Sequence, residues 1–136
     1  MAQARTHHEA PSSWAGMAAF GGMMLMVAGT FHAIAGLVGI FNDAYWLVPS
    51  QNLVITVDYT AWGWVHLVLG VVAFAAGAGI LGGRSWARAT GVVLAALSAI
   101  VNFAFLGAYP LWAILIIALD VLVIYALIAH GKELTT

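Results

Sequence analysis

Apolar residues in this chain come in four long runs separated by short polar breaks, with no strand-like alternation sustained across any of them. The runs cover about residues 16–41, 61–81, 86–108 and 111–130. Each supplies about the 20 apolar residues that carry an α-helix across about 30 Å of hydrocarbon. In lipid every backbone N–H and C=O must be satisfied within its own segment, so the runs predict helices. The expected fold is all-α, a four-span transmembrane helix bundle at residues 16–131. A polar tail precedes it at 1–15 and a short one follows at 132–136.

The breaks differ in kind. Gly82-Gly83-Arg84-Ser85 reads as a tight helix–helix turn. Gly107-Ala108-Tyr109-Pro110 reads as a second one, with Pro110 suited to the first turn of the following helix. Residues 42–60 form the sizeable break. There two β-prone pieces, 45–48 and 53–57, flank the turn-favouring Pro49-Ser50-Gln51-Asn52. A short β-hairpin and an irregular loop both fit it. Within the first run, Ala33-Ile34-Ala35 resembles a signal-peptidase site. Apolar character continues to Phe41, however, so the run is expected to be retained as a span.

Charge then orients the bundle. Arg5, Arg84, Arg88 and Lys132 all fall on one side of a four-span chain, while Asp43 and Asp58 fall on the other. Basic residues accumulate on the cytoplasmic side, so both termini are expected there. The expected location is the plasma membrane. Trp14 and Trp86 on one side, and Trp46, Trp62, Tyr109 and Trp112 on the other, suit the two interfaces.

Composition narrows the function classes. The 136 residues are 64% hydrophobic and 7% charged, with mean hydropathy +1.02. A soluble domain carries roughly 25% charged residues. Net charge is −1, which offers no basic field to nucleic acid. Cysteine is absent, which excludes disulfides, thiolate metal sites and a quinone reductase working through a cysteine pair. The single lysine, Lys132, follows the fourth run, so no span offers a lysine for retinal attachment. No catalytic motif is evident.

The remaining chemistry lies in four polar residues inside the spans: His32, His66, Asn102 and Asp120, one per helix. Ionisable residues inside a membrane are costly and mark functional sites or paired groups. At 1.5 Å per residue all four fall at middle to outer depth. Small residues share their faces: Ala28, Gly29, Ala35 and Gly36 around His32, Gly63, Gly70 and Ala73 around His66, and Ala95, Ser98 and Ala99 around Asn102. Such residues let membrane helices approach closely, so the polar groups are expected to look into the bundle. Asp120 is expected to face His32 or His66 across it.

Four readings stay open. The set can be an interhelical hydrogen-bond cluster that fixes packing. His32 and His66, each followed by glycine four residues on, can ligate a haem b, with Gly36 and Gly70 leaving room for the macrocycle. A His/Asp/Asn set can hold zinc or a similar metal. His32, His66 and Asp120 can form the relay of a small proton-coupled transporter. A small-multidrug-transporter-like pump fits less well, because such carriers place their membrane carboxylate in an early helix and Asp120 lies in the last.

The runs Phe31-His32-Ala33 through Asn42-Asp43, Trp62-Gly63-Trp64-Val65-His66, Gly82-Gly83-Arg84-Ser85-Trp86-Ala87-Arg88 and Asn102-Phe103 carry a resemblance. Apart from its first dozen residues, the chain resembles an uncharacterised actinobacterial family of small four-helix integral membrane proteins. The resemblance implies four spans and a plasma-membrane location, and no activity. The expected function is that of a non-enzymatic membrane protein, an accessory or interaction subunit. Its expected partners are the lipid bilayer and either a second copy of itself or a larger membrane complex.

Overall fold

The computed structural model describes residues 13–42, 58–107 and 109–132, apart from the side chain of Trp14. Among the described residues the chain is all helix: α1 (Ser13–Phe41), α2 (Tyr59–Leu81), α3 (Ser85–Ala104) and α4 (Pro110–His130). All four are long and apolar enough to cross a membrane. The hairpin expected within 42–60 falls mostly on residues 43–57, outside the described residues, as do Trp46 and most of both tails.

Local chemistry sets the helix ends. Asp58 caps α2, its Oδ1 accepting from the Thr60 N–H at 2.9 Å, so the helix starts slightly before the apolar run. Gly83 sits at φ 70°, a left-handed conformation that suits glycine. It closes α2 with paired bonds from the Gly83 N–H to the Ile80 carbonyl and from the Arg84 N–H to the Gly79 carbonyl. The chain then re-enters as α3 at Ser85, as the tight-turn reading requires. Pro110 opens α4. The third span stops at Ala104, short of the expected 108, because Phe105, Leu106 and Gly107 leave the helix in a turn.

The helices form two antiparallel hairpins, with α1 packed on α2 most extensively and α3 on α4 next. The α1–α2 seam is made of glycine. Gly22, Gly29 and Gly36 recur every seventh residue on α1, and Gly63, Gly70 and Gly77 do so on α2. They meet as Gly22–Gly77, Gly29–Gly70 and Gly36–Gly63. A Cβ built on Gly29 would stand 2.6 Å from the Gly70 carbonyl oxygen, and one on Gly63 2.7 Å from that of Gly36. Nothing larger than hydrogen fits, so backbone lies on backbone. Lipid gives no hydrophobic drive for helix pairing, and such close packing supplies the attraction instead.

The hairpins join at the end that carries the start of α1, the end of α4 and the α2–α3 turn, called here the termini end. Ile80, Ala87, Ala95, Val123 and Leu127 form the core there, with Leu25, Val92 and Ile124 packed against it. All four helices meet at Gly91, whose Cβ position is ringed at 3.0–3.1 Å by Leu127, Leu25 and Ile80. The outer faces, with Phe31, Ile100, Phe103 and Ile128 about two-thirds exposed, are left to lipid.

Candidate functional site

Each polar residue of the spans stands seven residues from a core-facing one. Seven residues are close to two turns, so the pair shares a stripe. His32 follows Leu25, His66 precedes Ala73, Asn102 follows Ala95, and Asp120 lies between Ala113 and Leu127. The spacing places all four on the same stripes as core-facing residues, although His32 itself is exposed.

Burial along those stripes is uneven. On α1 the stripe runs from fully buried Ala18 through half-buried Leu25 to exposed His32. On α2 it runs from fully buried Ile80 through buried Ala73 to half-buried His66. Asn102 is likewise half-buried, two turns beyond buried Ala95. The α1/α2 hairpin loses its cover towards the far end, where its inward stripe turns polar. Ala113 on α4 stays buried at that end, so the opening lies on the α1/α2 side.

His32 and His66 are brought together. Their ring centroids stand 5.2 Å apart with the planes tilted by 33°. The indole of Trp62 stacks on His66 at 3.6 Å. His66 Nδ1 lies 3.0 Å from the Trp62 carbonyl oxygen. A carbonyl only accepts, so Nδ1 carries the proton and Nε2 holds the lone pair. A backbone carbonyl behind a histidine is the arrangement that fixes the ring of a metal ligand. Among the described residues no third His, Cys, Asp or Glu joins the pair in a metal-sized group.

The other two residues belong to the α3/α4 hairpin. Asn102 donates through Nδ2 to the Ser98 carbonyl at 2.9 Å. Asp120 lies beside the Ser98 side chain, while its Oδ2 is sealed from solvent without a hydrogen-bond partner among the described residues. The contacts thus sort the four residues into two sets, His32 with His66 and Asn102 with Asp120 around Ser98. The polar neighbour of Asp120 is Ser98 on α3.

Gly36 and Gly70 leave no slot for a haem macrocycle, because the opposite helix fills their faces. A Cβ on Gly36 would stand 2.6 Å from the Gly63 carbonyl oxygen, and one on Gly70 2.6 Å from that of Gly29. The glycines serve the helix seam. Trp62, expected as an interfacial aromatic, and Ser98, expected as a small neighbour of Asn102, both join the site. Trp62 stands four residues before His66 and Ser98 four before Asn102, one helical turn each.

No curated protein and no solved structure matches the chain. A family described as a domain of unknown function, DUF7144, matches residues 17–132, which takes in all four spans almost whole. The match and the four apolar helices agree on a multi-pass membrane protein. The chain belongs to the DUF7144 family.

Proposed function

We propose that this protein is a non-enzymatic accessory subunit of a plasma-membrane assembly, with both termini in the cytoplasm and the open half of its bundle covered by a partner. One observation carries the reading. The stripe of α1 that is buried at Ala18 and again at Gly39 opens at His32, which is exposed inside a helix apolar enough to span the bilayer. Ionisable groups in membranes are turned towards protein or a water-filled cavity, and an imidazole left to lipid is costly. A transmembrane segment of a second copy, or of another subunit, would relieve that cost.

The test is a photoreactive residue at position 32, illuminated in native membranes, with position 68 as a lipid-facing control. Val68 is 57% exposed on α2, off the inward stripe. The expected result is a protein adduct of discrete mass from position 32 and none from position 68. A doubled mass identifies the partner as a second copy. Lipid adducts alone at both positions would defeat the proposal.

A second reading is favoured by the ring pair itself. His66, fixed through Nδ1 and set beside His32, offers two nitrogen ligands for a metal ion or an axial haem iron. With two ligands from one chain, a tetrahedral site would take its other ligands from water or a partner. Absorption spectra and metal analysis of the purified protein decide it. A Soret band that shifts on reduction, or about one metal per chain lost in His66→Phe, supports it; colourless, metal-free protein excludes it.

A further inference from the structure

The sequence places Arg88 on α3 and Lys132 just beyond α4, where they serve as orientation signals. The fold sets them along one open surface groove. A groove of about 460 Å³ runs between α3 and α4 at the termini end, with Arg88, Lys132 and Ser85 at its polar rim and Val92, Val93 and Ile128 along its floor and sides. Ser85 is the first residue of α3, and Lys132 stands two residues past the end of α4. The cations therefore lie where the apolar helices stop, at headgroup level. The apolar stretch extends from there towards the bilayer interior.

Arg88 is held in place by the shape of the backbone. A Cβ on Gly131 would stand 2.5 Å from Arg88 Cδ and 3.3 Å from Nη1, so the Arg88 side chain runs over Gly131 and reaches across from α3 to α4. Its stem is half-buried. α3 also begins without a side-chain cap, since Arg84 contributes none. The donors at the rim are thus a guanidinium, an ammonium and a hydroxyl, set above an apolar trough. Guanidinium and ammonium groups recognise phosphate. Basic pockets between spans at the membrane surface take anionic headgroups.

We propose that this groove is a binding site for an anionic phospholipid, with its phosphate on Arg88 and Lys132 and an acyl chain along Val92, Val93 and Ile128. The occupant is a lipid and not a free phosphate because the groove is apolar beyond its rim and opens to the bilayer. The site does not depend on what covers His32 at the other end.

Native mass spectrometry of the full chain in detergent, titrated with phosphatidylglycerol or phosphatidylcholine, tests it. A basic residue at a membrane surface is worth about 1 kcal/mol, or about five-fold in affinity. Phosphatidylglycerol should bind at least about five-fold more tightly than phosphatidylcholine. Arg88→Gln and Lys132→Gln should each remove about five-fold of that preference, while Arg84→Gln, at the same end but outside the groove, should keep it. Gly131→Ala should act like Arg88→Gln, because the new methyl displaces the guanidinium. If Arg88→Gln fails to fold, Lys132→Gln carries the test, since Lys132 is exposed beyond the helix. Equal binding of both lipids, equal loss in Arg84→Gln, displacement of the lipid by millimolar inorganic phosphate, or binding only of a second copy would each overturn the proposal.

Discussion

Replacing glycine by alanine along α1 and α2 separates seam from surface with a single methyl group. In a helix interior the change gains about 1 kcal/mol from backbone entropy alone. At Gly16 a Cβ meets nothing within 4 Å, and at Gly21 it meets Val123 methyls at 3.7–3.9 Å, an ordinary contact. Both variants should be as stable as the parent or gain up to about 1 kcal/mol. At Gly70 the same methyl would stand 2.6 Å from the Gly29 carbonyl oxygen and closer still to the Ala33 nitrogen. These are backbone atoms of α1 that no rotamer change can move, so the hairpin must separate. Overpacking costs typically about 1–3 kcal/mol. Taking the upper end, because the obstacle is backbone, and subtracting the propensity gain leaves a net loss of about 2 kcal/mol for Gly70→Ala. The gap between Gly70→Ala and Gly16→Ala is then about 2–3 kcal/mol. Unfolding in mixed micelles on titration with sodium dodecyl sulfate, followed by circular dichroism, measures it. If Gly70→Ala unfolds at the same detergent fraction as Gly16→Ala and Gly21→Ala, the two helices are not in backbone contact and the seam is wrong.

Two further outcomes are expected. Fusing a cytoplasm-active and a periplasm-active reporter at residue 136 should give activity only with the first, since Arg5, Arg84, Arg88 and Lys132 share one side; activity of the second would invert the orientation. Asp120→Asn should fold, because an amide can bond the Ser98 hydroxyl beside it. Asp120→Leu should cost less than about 1 kcal/mol, since it removes an orphaned oxygen and leaves Ser98 free to bond its own helix. A loss above about 2 kcal/mol would show that Oδ2 has a partner of its own.

The four spans were legible because lipid imposes the simplest of sequence rules: length and apolarity alone decide which segments cross. Their ends were less so. Asp58 and Pro110 signal their helices by known capping chemistry, but nothing in 105–108 is polar enough to mark where α3 stops. The expected faces of His32, His66 and Asn102 rest on their small neighbours, and that of Asp120 on the cost of a carboxylate in lipid. Which of the four would meet could not, because depth along a helix does not tell which helix lies beside it. The glycines were visible but read at the wrong period. Taken at four residues from each histidine, Gly36 and Gly70 looked like room for a ligand. Taken at seven, Gly22, Gly29 and Gly36 against Gly63, Gly70 and Gly77 form a continuous seam, and the seven-residue repeat is the one that keeps a stripe facing its partner.

The hydrogen bonds bear on what the histidines are for. A polar cluster kept to glue helices together should bond across them. Here His66 bonds the carbonyl of Trp62 on its own helix, and Asn102 that of Ser98 on its own helix. Thr30 and Thr90 likewise turn back to Met26 and Trp86, one turn behind them. Among the described residues, Ser98 and Asp120 are polar neighbours across helices α3 and α4. The α1/α2 hairpin, meanwhile, already has its cohesion from three glycine pairs and needs no imidazole to hold it. His32 and His66 therefore sit on the inward stripe without a packing duty, at the end where that stripe is least covered. Leucine at either position would serve a purely structural hairpin better, at lower desolvation cost. Two imidazoles side by side in such a place fit the partner contact proposed above, which cross-linking from position 32 is designed to catch.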